Sequence, residues 1–180
     1  MIDVTKTIDR VADVMAQVTA LTLKQVLVGV PQERAPRKGT PINNASLAYI
    51  HEFGSPAVNI PPRPFLFPGV RKAQRDIIAV MADGARRALQ GERGAADDTL
   101  ERVGIIARNS AVREITDPEP PFTRLKDATV RARLRRTQAG RRQLRQLKKV
   151  GTPIGTWAAA NIHPLIDTGQ LRASITYVVR

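Results

Sequence analysis

The stretch Ala48-Tyr49-Ile50-His51-Glu52-Phe53-Gly54 runs through residues 55–60 into Pro61-Pro62-Arg63-Pro64-Phe65-Leu66. Asn43 or Asn44 is placed to cap a short helix ending at Phe53. Gly54 is the residue expected just past that end, where the backbone takes a left-handed conformation that side chains disfavour. Pro61, Pro62 and Pro64 impose an extended path. Phe65, Leu66 and Phe67 follow as three bulky apolar residues in a row. The pattern predicts a stopped helix, a stiff bridge and an apolar segment that packs into the core or docks against a neighbouring subunit, two arrangements that look the same in sequence. Phe53, Arg63, Phe65, Leu66 and Phe67 are the expected subunit-interface residues. A proline-stiffened strap loses little entropy on ordering, and aromatic rings supply anchor area.

A second punctuated stretch lies near the end of the chain, Pro164-Leu165-Ile166-Asp167-Thr168-Gly169-Gln170-Leu171-Arg172-Ala173-Ser174-Ile175. Asp167 reads as an N-cap with Gln170 at the reciprocal position. With Gly54 and Gly169, Asp167 completes the expected structural caps. Residues 175–179 alternate as a last strand. Gln25–Val30 is a second β-rich run, stopped by Pro31.

Between the strands the pattern is helical. Residues 4–23 carry a stripe of Val4, Ile8, Val11, Met15, Val18 and Thr22, broadened by Val14 and Leu21. Residues 70–89 are expected to turn Ile77, Ile78, Met81 and Ala85 inward. Residues 99–115 are expected to do so with Leu100, Val103, Ile106 and Ala107. Two strand patterns at opposite ends of a mostly helical chain predict an α+β fold, a small, mostly antiparallel sheet packed against several helices. Residues 1–123 and 161–180 are expected to form one domain, with residues 124–160 as a basic helical insertion or arm.

Charge marks that arm. The chain has 29 Lys and Arg against 16 Asp and Glu, a net charge of +13. Arg124–Lys149 holds 11 of the basic residues and one acid, Asp127. Its apolar stripe is thin, so an exposed helix, or one ordered by a partner, is expected. Arg131, Arg133, Arg135, Arg136, Arg141, Arg142 and Arg145 are the candidates for contact with DNA or an acidic protein surface. The scarcity of aromatics disfavours base stacking and favours sequence-independent attraction to a phosphate backbone.

Composition narrows the chemistry. The absence of Cys excludes disulfides, thiolate catalysis and Cys-based metal sites. His51 and His163 are the only histidines, too few for a usual structural zinc site. No apolar run reaches the ~18 residues that span a bilayer, and the first residues do not read as a secretory signal. Ser55 and Ser174 lack a nucleophile-elbow context. Asp97-Asp98 reads as dipole-favouring acids in a first helical turn. His51-Glu52 point in different directions on a helix and suggest no third catalytic group. The expectation is a non-enzymatic protein without cofactor, metal or membrane.

The two punctuated stretches together resemble the virion-morphogenesis and tail-completion proteins of long-tailed bacteriophages, a neck or tail-terminator group. The resemblance rests on Tyr49-Ile50-His51-Glu52-Phe53-Gly54, then Pro61-Pro62-Arg63-Pro64-Phe65-Leu66, then Pro164–Ile175, in that order. It covers about a fifth of the chain directly. It implies a small α+β subunit of a virion, assembled in the host cytoplasm into a homo-oligomeric ring such as a hexamer. Such a ring completes or terminates the tail at the head–tail junction and meets neighbouring neck, connector or tail-tube proteins. The basic stretch from Arg131 to Ala160 is longer than the resemblance leads one to expect. A basic, sequence-independent nucleic-acid-binding protein is the alternative reading.

Overall fold

A computed structural model describes the backbone of residues 4–39 and 41–180, with side chains from Val11 onward. Helix α1 (Val4–Leu23) leads into strand β1 (Val26–Gly29). Helices α2 (Asn44–Phe53), α3 (Leu66–Lys72), α4 (Gln74–Leu89) and α5 (Ala95–Thr116) follow. Three helices of the basic region come next, α6 (Asp127–Arg135), α7 (Gln138–Val150) and α8 (Ile154–Asn161). The short α9 (Gln170–Ser174) then delivers β2 (Thr176–Val179). The two strands pair antiparallel, Val26 opposite Val179 and Gly29 opposite Thr176. The fold is therefore α+β, with both predicted strands in place.

Helix α5 is the hub, in contact with α1, α3, α4 and both strands. Its buried face is built from small residues, Ala95, Ala96, Thr99, Gly104, Ala107 and Ala111, with Leu100 and Val103. Small side chains let neighbouring backbones approach closely. A Cβ on Gly69 of α3 would lie 2.8 Å from the Ala111 nitrogen, so only Gly fits there. The stripe predicted for α5 is present, with Ile106 half-buried.

Three helical expectations are corrected. The helix predicted from residue 70 begins at Leu66 and divides at Ala73, which closes α3 and opens α4. Pro68 is tolerated because the first turn needs no donor there. On α4 Gly84 and Ala88 are buried and the expected Ile77 and Met81 are half-buried, while Ile78 is 58% exposed and Ala85 is exposed. Thr99 of α5 occupies the space over Gly84, which sets this face inward. On α1 the half-buried positions are Val14, Gln17, Val18 and Leu21, whereas Val11, Met15 and Thr22 face outward. Gln17 decides that rotation, because its Oε1 accepts the Ala96 N–H at the start of α5 at 3.1 Å. The stripe positions Val4 and Ile8 lie outside the residues whose side chains are described.

The described residues form two apolar cores. Phe65, Ile115, Leu165, Leu171 and Ile175 form the first, with Val28, Leu47, Ala48 and Ile166 packed around them. Both punctuated stretches meet there, although more than 90 residues separate them in sequence. Val130, Leu147, Ile154 and Ala158 form the second, with Leu125, Leu134, Leu144 and Trp157 around them. The basic region thus has its own small core. Three thin stripes, one each from α6, α7 and α8, converge to make it.

Candidate assembly surface

Helix α2 begins where Asn43 accepts the Ser46 N–H at 2.7 Å. It ends at Gly54, whose φ is 78°. A Cβ on Gly54 would also lie 2.9 Å from the Ile60 oxygen, so the turn requires Gly on two counts. The chain then folds back, and the Arg63 N–H donates to the His51 carbonyl at 2.6 Å. This return brings the start of α3 against the end of α2.

Glu52 joins the two helices. Its carboxylate accepts the backbone N–H of Phe65 at 2.9 Å, of Leu66 at 3.0 Å and of Phe67 at 3.0 Å. A helix start leaves several N–H groups without intrahelical partners and carries partial positive charge. One buried carboxylate satisfies three of these donors and opposes that charge. Both carboxylate oxygens are thus engaged by backbone N–H groups.

The joint sorts the three apolar residues that follow the prolines. Phe65 is 1% exposed and central to the first core. Leu66 is half-buried, and Phe67 is 67% exposed. Of the five residues expected at a subunit interface, Phe65 and Arg63 are interior to this chain. The helix start explains the first, because residues on either side of Leu66 leave the backbone in different directions. Arg63 is buried because its Nε donates to the Thr123 carbonyl at 2.9 Å and its Nη2 to the Arg124 carbonyl at 3.4 Å. Burial pushes its guanidinium down from its ordinary value.

Phe53 and Phe67 remain outward, and Tyr49 joins them. The Tyr49 and Phe53 rings lie 4.8 Å apart, and Phe53 meets Phe67 edge-on at 6.3 Å. Tyr49 is 66% and Phe53 55% exposed. An apolar groove of about 200 Å³ opens beside the rings, floored by Val30, Ala48 and Leu66. Sequence reasoning missed Tyr49 as part of this patch; its i, i+4 spacing to Phe53 on α2 was the available signal.

The second stretch has a different task from the one expected. Asp167 does not cap α9, whose N-cap is Gly169 with no side-chain hydrogen bond. Gly169 has a φ of 75°. The Asp167 carboxylate instead pairs with Arg136 and, at 3.8 Å, with Arg133. Arg133 also donates to the carbonyls of Pro164 at 2.8 Å and Ile166 at 3.2 Å. Two guanidiniums, one from the last turn of α6 and one from Arg136 just past it, thus outcompete the local cap. Gln170 is likewise drawn away, accepting the Lys38 N–H at 2.9 Å.

Arg133 and Arg136, expected on the contact surface for DNA or an acidic partner, therefore latch the basic helices to the main core. Arg63 fastens the same unit at its other end. Arg131, Arg135, Arg141, Arg142 and Arg145 are exposed. Arg141 donates to the Arg135 carbonyl at 2.8 Å.

His51 lies between the latches. Burial first, and then the guanidiniums of Arg63, Arg133 and Arg37, push its pKa down to about 4, so it is neutral at pH 7. Ser174 is buried, and its hydroxyl donates to the Leu171 carbonyl at 2.7 Å. Asp97 pairs with Lys24, and Asp98 with Arg87 at 2.7 Å. A cleft of about 630 Å³ is crossed by an ion pair between Lys72 and Glu114 at 2.8 Å. Among the described residues, no three His, Cys, Asp or Glu side chains gather where they could hold a metal ion. None of the described helices is long and apolar enough to cross a membrane.

Over 45 residues, 25% of its length, the chain is 42% identical to an uncharacterized protein of Methanocaldococcus jannaschii. It spans 33% of that protein's length. No family model and no solved structure matches the chain.

Proposed function

We propose that this protein is a structural subunit of a tailed-bacteriophage particle. It forms a homo-oligomeric ring at the head–tail junction that completes or terminates the tail and joins it to the head. One observation carries the reading: the row of outward rings Tyr49, Phe53 and Phe67. These rings project from two helices joined rigidly through Glu52. Exposed aromatic side chains on a backbone already held in place lose less entropy on docking, which is the character of an interface anchor. The resemblance of the two punctuated stretches to tail-completion proteins supports the same reading, since both stretches build the core beneath these rings.

Each strand of the sheet has one edge that pairs with no other strand among the described residues, and these edges offer a second contact between copies. A head-to-tail contact that closes by rotation gives a ring. The subunit works by binding, with neighbouring neck, connector or tail-tube proteins as its partners in the virion. Negative-stain electron microscopy of the purified protein tests this proposal. Closed rings of uniform diameter are expected, and single particles of subunit size at all concentrations would overturn it.

A further inference from the structure

Helix α7 carries Arg141, Arg142, Arg145, Lys148 and Lys149, all exposed. Their spacing of i, i+1, i+4, i+7 and i+8 puts them on one side of the helix, along about 12 Å of its axis. The other side is fixed by packing. Leu147 and Leu144 enter the second core, and Gly140 lies against the Leu134 backbone at the turn from α6. None of the five cations pairs with a described carboxylate. The α6–α8 unit that presents them is latched at both ends, through Arg63 and through Asp167. The ridge is therefore pre-formed in the single subunit.

We infer that α7 is a contact element for double-stranded nucleic acid, touching the phosphate backbone without reading base sequence. Its composition favours that partner over an acidic protein, and its lack of stacking rings favours a duplex over single strands. The ridge residues are all cations, whereas protein interfaces have an apolar centre depleted in charge. Nucleic-acid interfaces are polar and strongly positive. The one Trp, Trp157, is half-buried against the second core, so the unit has no fully exposed ring on which unpaired bases would stack. A duplex hides its bases and offers phosphates, which matches what the ridge supplies. Arg133 and Arg136 are excluded from the contact by their bonds to the main domain. The inference concerns a surface separate from the aromatic row and does not depend on ring formation.

Fluorescence anisotropy with the full chain and a labelled 24-base-pair duplex of mixed sequence tests it. The wild type should bind two unrelated duplexes alike and lose affinity steeply with salt. The triple variant Arg141→Gln, Arg142→Gln, Arg145→Gln should bind at least about tenfold more weakly, with the log–log salt slope reduced by about 2–3. The corresponding Arg→Lys triple, which keeps the charge, should retain binding and guards against a folding artefact. A charge-matched control, Arg34→Gln with Arg71→Gln and Arg75→Gln, removes three exposed cations elsewhere and should lose far less. Equal losses in control and α7 variant would overturn the assignment. So would tighter binding of poly-glutamate than of the duplex at the same salt, which would assign the ridge to an acidic protein.

Discussion

Glu52 accepts the backbone N–H of Phe65 at 2.9 Å, and this bond fixes where α3 starts. It also explains why an acid at the end of one helix occurs with an aromatic beyond three prolines. The acid holds the helix start, and the helix start sends Phe65 inward and Phe67 outward.

Glu52→Ala leaves three N–H groups at a helix start without their acceptor. The expected loss of stability is about 1–3 kcal/mol. Glu52→Gln should fall between wild type and Ala, because one amide oxygen remains to accept. Urea unfolding followed by circular dichroism measures both, and a fully stable Glu52→Ala would contradict the capping role.

The two phenylalanines should separate folding from assembly. Phe65→Ala opens a cavity in the first core and is expected to cost about 3–5 kcal/mol. Phe67→Ala removes an exposed ring and should change subunit stability by less than about 0.5 kcal/mol. Thermal unfolding of the two variants at one protein concentration tests the contrast.

The latch should be asymmetric. Arg136 is largely exposed, so Arg136→Gln is expected to cost under about 1 kcal/mol. Arg133 bonds half-buried backbone carbonyls as well as Asp167, and Arg133→Gln should cost about 1–3 kcal/mol. It should also expose the linkers around residues 121–126 and 161–168 to proteases. Limited proteolysis with mass spectrometry reads that exposure, and identical digestion of the two variants would argue against the latch.

His51 gives stability a pH dependence. Its pKa falls from 6.5 in the unfolded chain to about 4 in the fold. The unfolded chain takes up this proton first on acidification, so the contribution is fully present above pH 6.5 and lost between pH 6.5 and 4. The loss reaches on the order of 3 kcal/mol. Urea midpoints measured from pH 7 to pH 4 should fall more steeply for wild type than for His51→Gln, and parallel profiles would remove His51 from the account.

What the sequence disclosed was local. The strands were legible because their β-branched alternation ends at Pro31 on one side and follows a helix-terminating turn on the other. The stop of α2 was legible because Gly54 must have a positive φ. The start of α3 was not, because its cap lies 14 residues upstream of Leu66. Local rules likewise made Asp167 a cap, and two guanidiniums at the end of a distant helix claimed it. The facing of α1 was ambiguous because its outer side is also apolar, with Val11, Met15 and Leu23 each more than half exposed. The core of the basic unit was hidden because no single helix there carries a full apolar stripe. At the candidate site, Phe53 and Phe67 were legible as exposed anchors only once the fold removed Phe65 and Arg63.

The central claim is that the outward aromatic row is the contact between subunits. Sedimentation velocity over a hundredfold concentration range, on wild type and on the double variant Phe53→Ser with Phe67→Ser, tests it most directly. The account predicts a ring-sized species for the wild type and a single subunit with unchanged circular dichroism for the variant. A variant that assembles like the wild type, or a wild type that remains a single subunit throughout, would contradict it.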